Sequence, residues 1–306
     1  MPRVKLGLGT AQLGLPYGLT NRRGQPSTAD SIRILAAAAR AGVETLDTAP
    51  SYGASEAVIG AALAEGIRFR IITKTPTRGT ATAGWPGRDA LREGVARSLS
   101  RLGLTRLDGL LLHHAADALA PGGDALLQEM LSMKREGVVR RIGVSVYDSG
   151  ELDALLALFK PDIVQLPLSV LDQRLLKSGH LGRLHSLGVE IHARSVFLQG
   201  VLLEDPEALP PHLFPLQRTI EAFQAAMRES GHSPIEGALA FVLSRPEVAT
   251  ILVGVTGEDE LEQLVASARA AADLRHDFSP YSVAEDALVN PAKWAGAAAP
   301  SRGVPA

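Results

Sequence analysis

Four side chains able to carry or move a proton stand where apolar runs of this chain give out. Asp47 ends "VETLD" (43–47), and Tyr52 follows five positions later in "LDTAPSYGASE". Lys74 lies at the end of "FRIITKT" (69–75) and His113 at the end of "LDGLLLHH" (107–114). The chain is only 4% aromatic, so packing alone does not call for a tyrosine at a strand-to-helix junction. A lysine inside an apolar strand is costly unless paired, and Asp47 is its natural partner. Such groups suit proton transfer, and Lys74 by itself could form a Schiff base with a carbonyl. Each also has a structural use, as helix cap, loop anchor, strand-end charge or hydrogen-bonded histidine. Their joint placement at successive strand ends is what argues for a site.

The elements that must position them can be read from the pattern. Apolar runs recur at 4–9, 43–47, 69–75, 107–114, 140–146, 162–168, 189–195 and 249–255, with helical patterns at 27–42, 87–103, 123–137 and 149–159 between them. Ser27, Thr28 and Asp30 open the first helix and Gly42 closes it, as cap chemistry expects. Near-continuous apolar strands alternating with helices imply a parallel sheet covered outside, and eight units imply a single-domain α/β (β/α)8 TIM barrel. A doubly wound sheet is the alternative, but "GLGTAQLG" lacks the G-x-G-x-x-G spacing. The strands are expected to end near residues 9, 47, 74, 113, 145, 166, 195 and 254, where barrels of this kind carry function. The barrel is expected over 1–280. A proline-rich loop, 196–216, and a tail, 281–306, are expected over the mouth. Alternation along the fourth strand puts His113 on the face of Leu111 and turns His114 away, toward a structural role.

Composition narrows the class. With 31 basic and 33 acidic residues the net charge is −2, which argues against nucleic acid or an anionic membrane as partner. The chain has no cysteine, which excludes disulfides and thiolate metal sites and fits a cytoplasmic location. The apolar start is broken by Gly7, Gly9, Thr10 and Gln12, so it does not read as a signal peptide. No histidine spacing suggests a metal.

Taken with "LDTAPSYGASEAVIG", "IITKT", "LDGLLLHH", "IGVSVYD", "VQLPLSVLDQR" and "HARSVFLQG", the chain resembles a bacterial member of the aldo-keto reductase family over nearly its whole length. The resemblance implies NAD(P)H-dependent reduction of an aldehyde or ketone. Tyr52 becomes the general acid, with Lys74, held by Asp47, expected to lower its pKa, and His113 orients the carbonyl. It implies cofactor contacts at Gly9, Thr10, Ala11, Ser145, Gln165, Arg194, Ser195, Leu198, Gly200, Gly254, Val255, Thr256, Glu260 and Gln263, in addition to Asp47. Two positions depart from the family pattern. Val146 replaces an asparagine beside Ser145, and Arg194 stands where a tyrosine commonly stacks on the nicotinamide. The family's N-terminal hairpin, a plug at the barrel's bottom, is expected to be missing.

The same resemblance implies a substrate pocket of Tyr17, Trp85, Phe197 and Trp294, with Gln12, His114 and Arg194 as polar neighbours. A small carbonyl compound is expected, hydroxylated or anionic as readily as apolar. The segment after the last strand, "VGVTGEDELEQL", has no Lys or Arg where the family grips a 2′-phosphate, and Thr256, Gly257 and Glu260 stand at those positions. Either NADP(H) or NAD(H) is therefore expected as cofactor. Two other readings stay open: a cofactor-binding regulatory protein with little turnover, and a Schiff-base enzyme using Lys74.

Overall fold

The computed structural model describes residues 5–77 and 87–294. Eight parallel strands close into a barrel in sequence order: β1 (Leu6–Gly9), β2 (Thr45–Asp47), β3 (Arg70–Lys74), β4 (Gly109–Leu112), β5 (Ile142–Ser145), β6 (Ile163–Pro167), β7 (Glu190–Arg194) and β8 (Val248–Val253), with β8 pairing back onto β1. All eight C-terminal ends fall within one residue of the sequence expectation.

Helices cover the outside. They are α1 (Ala11–Gly14), α2 (Thr28–Arg40), α3 (Ser55–Ala64), α4 (Arg88–Leu102), α5 (Ala115–Leu119), α6 (Gly123–Arg135), α7 (Ser149–Leu156), α8 (Arg174–Lys177), α9 (His180–Ser186), α10 (Gln217–Glu229), α11 (Pro234–Leu243), α12 (Glu258–Ala270) and α13 (Asp286–Val289). Local chemistry sets their ends. Ser27 accepts from the Asp30 amide at the start of α2, and Gly42 takes a positive φ of 87° after its end. At α11, Ser233 and Glu236 form a reciprocal capping box.

Strand alternation sorts the side chains into two cores. Leu46, Ile71, Leu110, Leu112, Val144, Val164 and Ile191 face the helices and join one large cluster. Ile72, Leu111 and Ile163 face the barrel axis and form a second, small one. The axial face of β3 therefore reads Arg70, Ile72, Lys74, and that of β7 reads Glu190, His192, Arg194. At the bottom, Glu190 binds Arg70 at 2.9 Å, lies 2.9 Å from the His192 ring and pairs with Arg141. At the top the same two strands deliver Lys74 and Arg194 to the mouth.

The loop after β7 is ordered as short 3-10 turns, Val201–Leu203, Pro206–Ala208 and Pro211–Leu216. The C-terminal segment is clasped to the loop after β6. Arg174 holds both Asp172 and Asp286, Gln173 donates to the Phe278 carbonyl (2.8 Å), and Lys293 pairs with Asp286 (2.5 Å). Its Pro291 and Ala292 reach the cavity at the mouth. Among the described residues no helix is long and apolar enough to cross a membrane.

Candidate active site

The mouth opens into a cavity of about 1530 Å3, larger than the usual 300–1,000 Å3 of a small-molecule site and roomy enough for a dinucleotide beside a substrate. At its floor, Lys74 is buried with its Nζ 2.7 Å from Asp47 Oδ2 and 3.0 Å from the Thr48 carbonyl. The other Asp47 oxygen accepts from Gln165 Nε2 at 2.8 Å. The Asp47 carbonyl is fixed as well, by the amide and hydroxyl of Thr10 (both 2.9 Å), and Ser55 Oγ donates to that hydroxyl at 2.7 Å. The ion pair expected from the sequence is thus built, with Asp47 held by donors from three separate residues, Thr10, Lys74 and Gln165.

Tyr52 lies directly above. Lys74 Nζ is 4.9 Å from the centre of its ring, and the His113 ring meets it edge-on at 6.0 Å. The turn that carries Tyr52 is set by close backbone contact. Gly53 takes φ 54°, and a Cβ on Gly14 would sit 1.8 Å from the Tyr52 carbonyl oxygen. Only glycine lets α1 lie against that turn.

The electrostatics differ from the sequence expectation in one respect. Burial, and next the charge of Asp47, push the Tyr52 phenol far above its ordinary 10.0, while Arg194 pulls the other way. Lys74 does not lower it in net, because its charge is matched by Asp47 at 2.7 Å. The phenol is therefore held protonated. Burial also lowers Lys74, against the pull of Asp47. His113 is held well below 6.5 by burial, then by Lys74, His114 and Arg194, so it stands neutral at pH 7.

His114 is not turned away from the mouth. β4 ends at Leu112, alternation stops there, and the two imidazoles stack at 4.7 Å with both lining the cavity. Tyr17 also lines it, its hydroxyl 3.2 Å from Gln199 Nε2 and, through burial, pushed up to about 12. Tyr147 is a cavity residue that sequence reasoning missed, although "IGVSVYD" contains it. Three of the chain's four tyrosines thus meet at this mouth.

The remaining expected contacts divide. Gly9, Thr10, Ala11, Ser145, Gln165, Arg194, Ser195, Phe197, Gly200, Gly254, Val255, Thr256, Glu260 and Gln263 all line the cavity. Leu198 does not. In a tight turn where Leu198 and Gln199 have φ of 49° and 55°, it is directed into the core and its neighbours Phe197 and Gln199 face the cavity. Trp294 is likewise buried, against His212, rather than lining the pocket. Trp85 lies outside the described residues. Thr10 spends its hydroxyl on Asp47, so its part in the cavity wall is structural. Glu56, near the start of α3, is buried in an ion pair with Arg101 (2.6 Å) and accepts from Thr73 (2.7 Å).

At the far end, the loop after β1 adds two cations that the sequence reading did not connect to the site. Arg22 pairs with Glu204 (3.2 Å), and Arg23 grips Asp259 through both nitrogens (2.8 and 2.7 Å) with Glu260 at 3.6 Å. Glu260 accepts from both the amide (2.6 Å) and the hydroxyl (3.0 Å) of Thr256.

A closed (β/α)8 barrel with an ion-paired lysine, a protonated phenol and a neutral imidazole at its C-terminal mouth defines a narrow class. The chain belongs to the aldo/keto reductase family, whose model matches residues 5–276. It is 26% identical over 297 residues to the NADH-specific methylglyoxal reductase of Escherichia coli, covering 86% of this chain and 89% of that one. It is 27% identical over 306 residues to the L-galactose dehydrogenase of Arabidopsis thaliana, covering 94% and 91%. The holo form of an aldo-keto reductase from Bacillus halodurans matches the fold with a TM-score of 0.68 at 20% identity, over 90% of this chain and 94% of that one.

Proposed function

We propose that this protein reduces an aldehyde or ketone to an alcohol, with Tyr52 supplying the proton. The observation that carries the reading is a phenol held protonated by burial in a dinucleotide-sized cavity, above a Lys74–Asp47 pair and edge-on to His113. A reduced nicotinamide nucleotide, when bound, supplies a hydride to the carbonyl carbon. As negative charge builds on the carbonyl oxygen, the Tyr52 O–H bond breaks and its proton closes the alcohol. The phenolate left behind faces Lys74 and Arg194, and His113, being neutral, can donate to the same oxygen.

For the cofactor, the residues present fit. Ser145 and Arg194 stand at the catalytic end and Ser195, Gly200, Gly254, Val255, Thr256, Glu260 and Gln263 along the rest of the groove. Gln165 keeps its amide oxygen, since its nitrogen holds Asp47. We infer that NADH is accepted as well as NADPH. The Thr256 donors that a 2′-phosphate would want are taken by Glu260, and Arg23 is taken by Asp259. The Schiff-base reading is less well supported, because the Lys74 ammonium is locked between Asp47 and the Thr48 carbonyl. A panel of aldehydes and ketones with both reduced cofactors tests the proposal. Sustained cofactor oxidation should fall about 10²–10⁴-fold in Tyr52→Phe with cofactor binding retained. Near-wild-type turnover in that variant would reject Tyr52 as the acid, and tight cofactor binding with no turnover would favour the regulatory reading.

A further inference from the structure

Of the four Lys and Arg side chains that line the cavity among the described residues, three are neutralised: Lys74 by Asp47, Arg22 by Glu204 and Arg23 by Asp259. Arg194 is different. It donates to the Val146 carbonyl (2.9 Å) and Ser195 Oγ (3.2 Å) and lies over the Tyr147 ring at 4.2 Å, with no carboxylate in ion-pair range among the described residues. The stretches outside those residues, 1–4, 78–86 and 295–306, contain no Asp or Glu. A half-buried guanidinium is thus pinned by neutral hydrogen-bond and ring partners rather than by a carboxylate.

Its place in the barrel says what that charge meets. Tyr52 and His113 rise from the ends of β2 and β4, while Arg194 rises from β7 on the other side of the mouth. A carbonyl protonated by Tyr52 lies on the Tyr52 side. A ring held against the Arg194 wall would pass hydride to that carbonyl from the side away from Tyr52. The reduced ring is neutral and the oxidised ring carries one positive charge, while every other charge on the nucleotide is the same in both. Like charges repel most strongly where water is scarce.

We propose that Arg194 makes this site bind the reduced nicotinamide nucleotide in preference to the oxidised one, by setting an unneutralised cation behind the ring. The inference rests on the reductase reading and deepens it. The site is biased toward taking up reduced cofactor and letting oxidised cofactor go. The reach of the charge is consistent with this, since Arg194 also acts on Tyr52, Lys74 and His113 across the mouth.

Dissociation constants decide the matter without turnover. NADH and NAD+, then NADPH and NADP+, are titrated against wild type, Arg194→Gln and Arg194→Lys by calorimetry. The expected wild-type preference for the reduced form is about tenfold, or about 1.4 kcal/mol. It should fall to near unity in Arg194→Gln, mainly through tighter binding of the oxidised form, and persist in Arg194→Lys. A wild-type ratio near one overturns the proposal, as does an unchanged ratio in a folded Arg194→Gln. Equal binding of both forms leaves the reductase reading standing, whereas binding of neither overturns both.

Discussion

Lys74 shows what one buried charge demands of its surroundings. It is 2% exposed, so its ammonium survives only because Asp47 and the Thr48 carbonyl replace water around it. That cost is why the Asp47–Lys74 pair could be read from the sequence: a lysine in an apolar strand has few tolerable explanations. Lys74→Met should fail twice. Activity should drop with the loss of the cation facing the phenolate, and Asp47 would be left as an uncompensated buried carboxylate, at a cost of about 3–5 kcal/mol. Denaturant melts beside turnover assays check this, and full stability with full activity would contradict the pairing. Other residues could not be read this way. Arg23 meets Asp259 across 236 positions, with no local pattern to announce it. His114 lines the cavity, as the resemblance implies for a pocket neighbour, whereas alternation turns it away because β4 ends two residues earlier.

Elements explain why the rest of the site was legible. Strand ends accurate to one residue put Asp47 and Lys74 at the mouth, the family resemblance added Ser145, Gln165 and Arg194, and period-two alternation explains why all five share the axial face. What alternation could not supply was contact between loops and helices. The contact of α1 with the Tyr52 turn depends on two glycines at 14 and 53. Gly14→Ala should displace that turn and destabilise the fold by about 1–3 kcal/mol, with a larger proportional loss in kcat than in cofactor affinity. Unaltered kinetics in this variant would mean the turn does not set the position of the phenol. At the far end of the groove, α12 begins with Glu258, Asp259 and Glu260, whose carboxylates occupy Arg23, Arg33 and Thr256. The ratio of kcat/KM for NADPH over NADH should therefore stay below about a thousandfold, roughly 4 kcal/mol. A larger preference would require Arg23 to leave Asp259 for the phosphate.

At the scale of the whole barrel, charge is concentrated at the two poles and an apolar layer of Ile72, Leu111 and Ile163 separates them. The lower pole was not legible, because Arg70, Arg141, Glu190 and His192 read singly as charges beside strands. Burial raises Glu190, but the His192 contact and the charges of His192, Arg141 and Arg70 outweigh it and bring the carboxyl to about 2, from an ordinary 4.5. A carboxyl lowered on folding stabilises the fold above its unfolded pKa. That stability is lost as pH falls from about 4.5 toward 2, by up to roughly 3 kcal/mol. Glu190→Gln should flatten the stability profile in that window and lower Tm at neutral pH. Parallel profiles for the two proteins would show that the cluster is not what holds the lower pole.

The alternation Arg70, Ile72, Lys74 on β3, repeated as Glu190, His192, Arg194 on β7, has a consequence for how such a gene can change. Deleting one residue inside either strand turns the residues on one side of the gap to the opposite face, which drives either the lower-pole charge or the mouth charge into the helical layer. Length variation is therefore closed to these strands. It remains open to the exposed turns around Pro206 and Pro211, where an inserted residue crosses neither core.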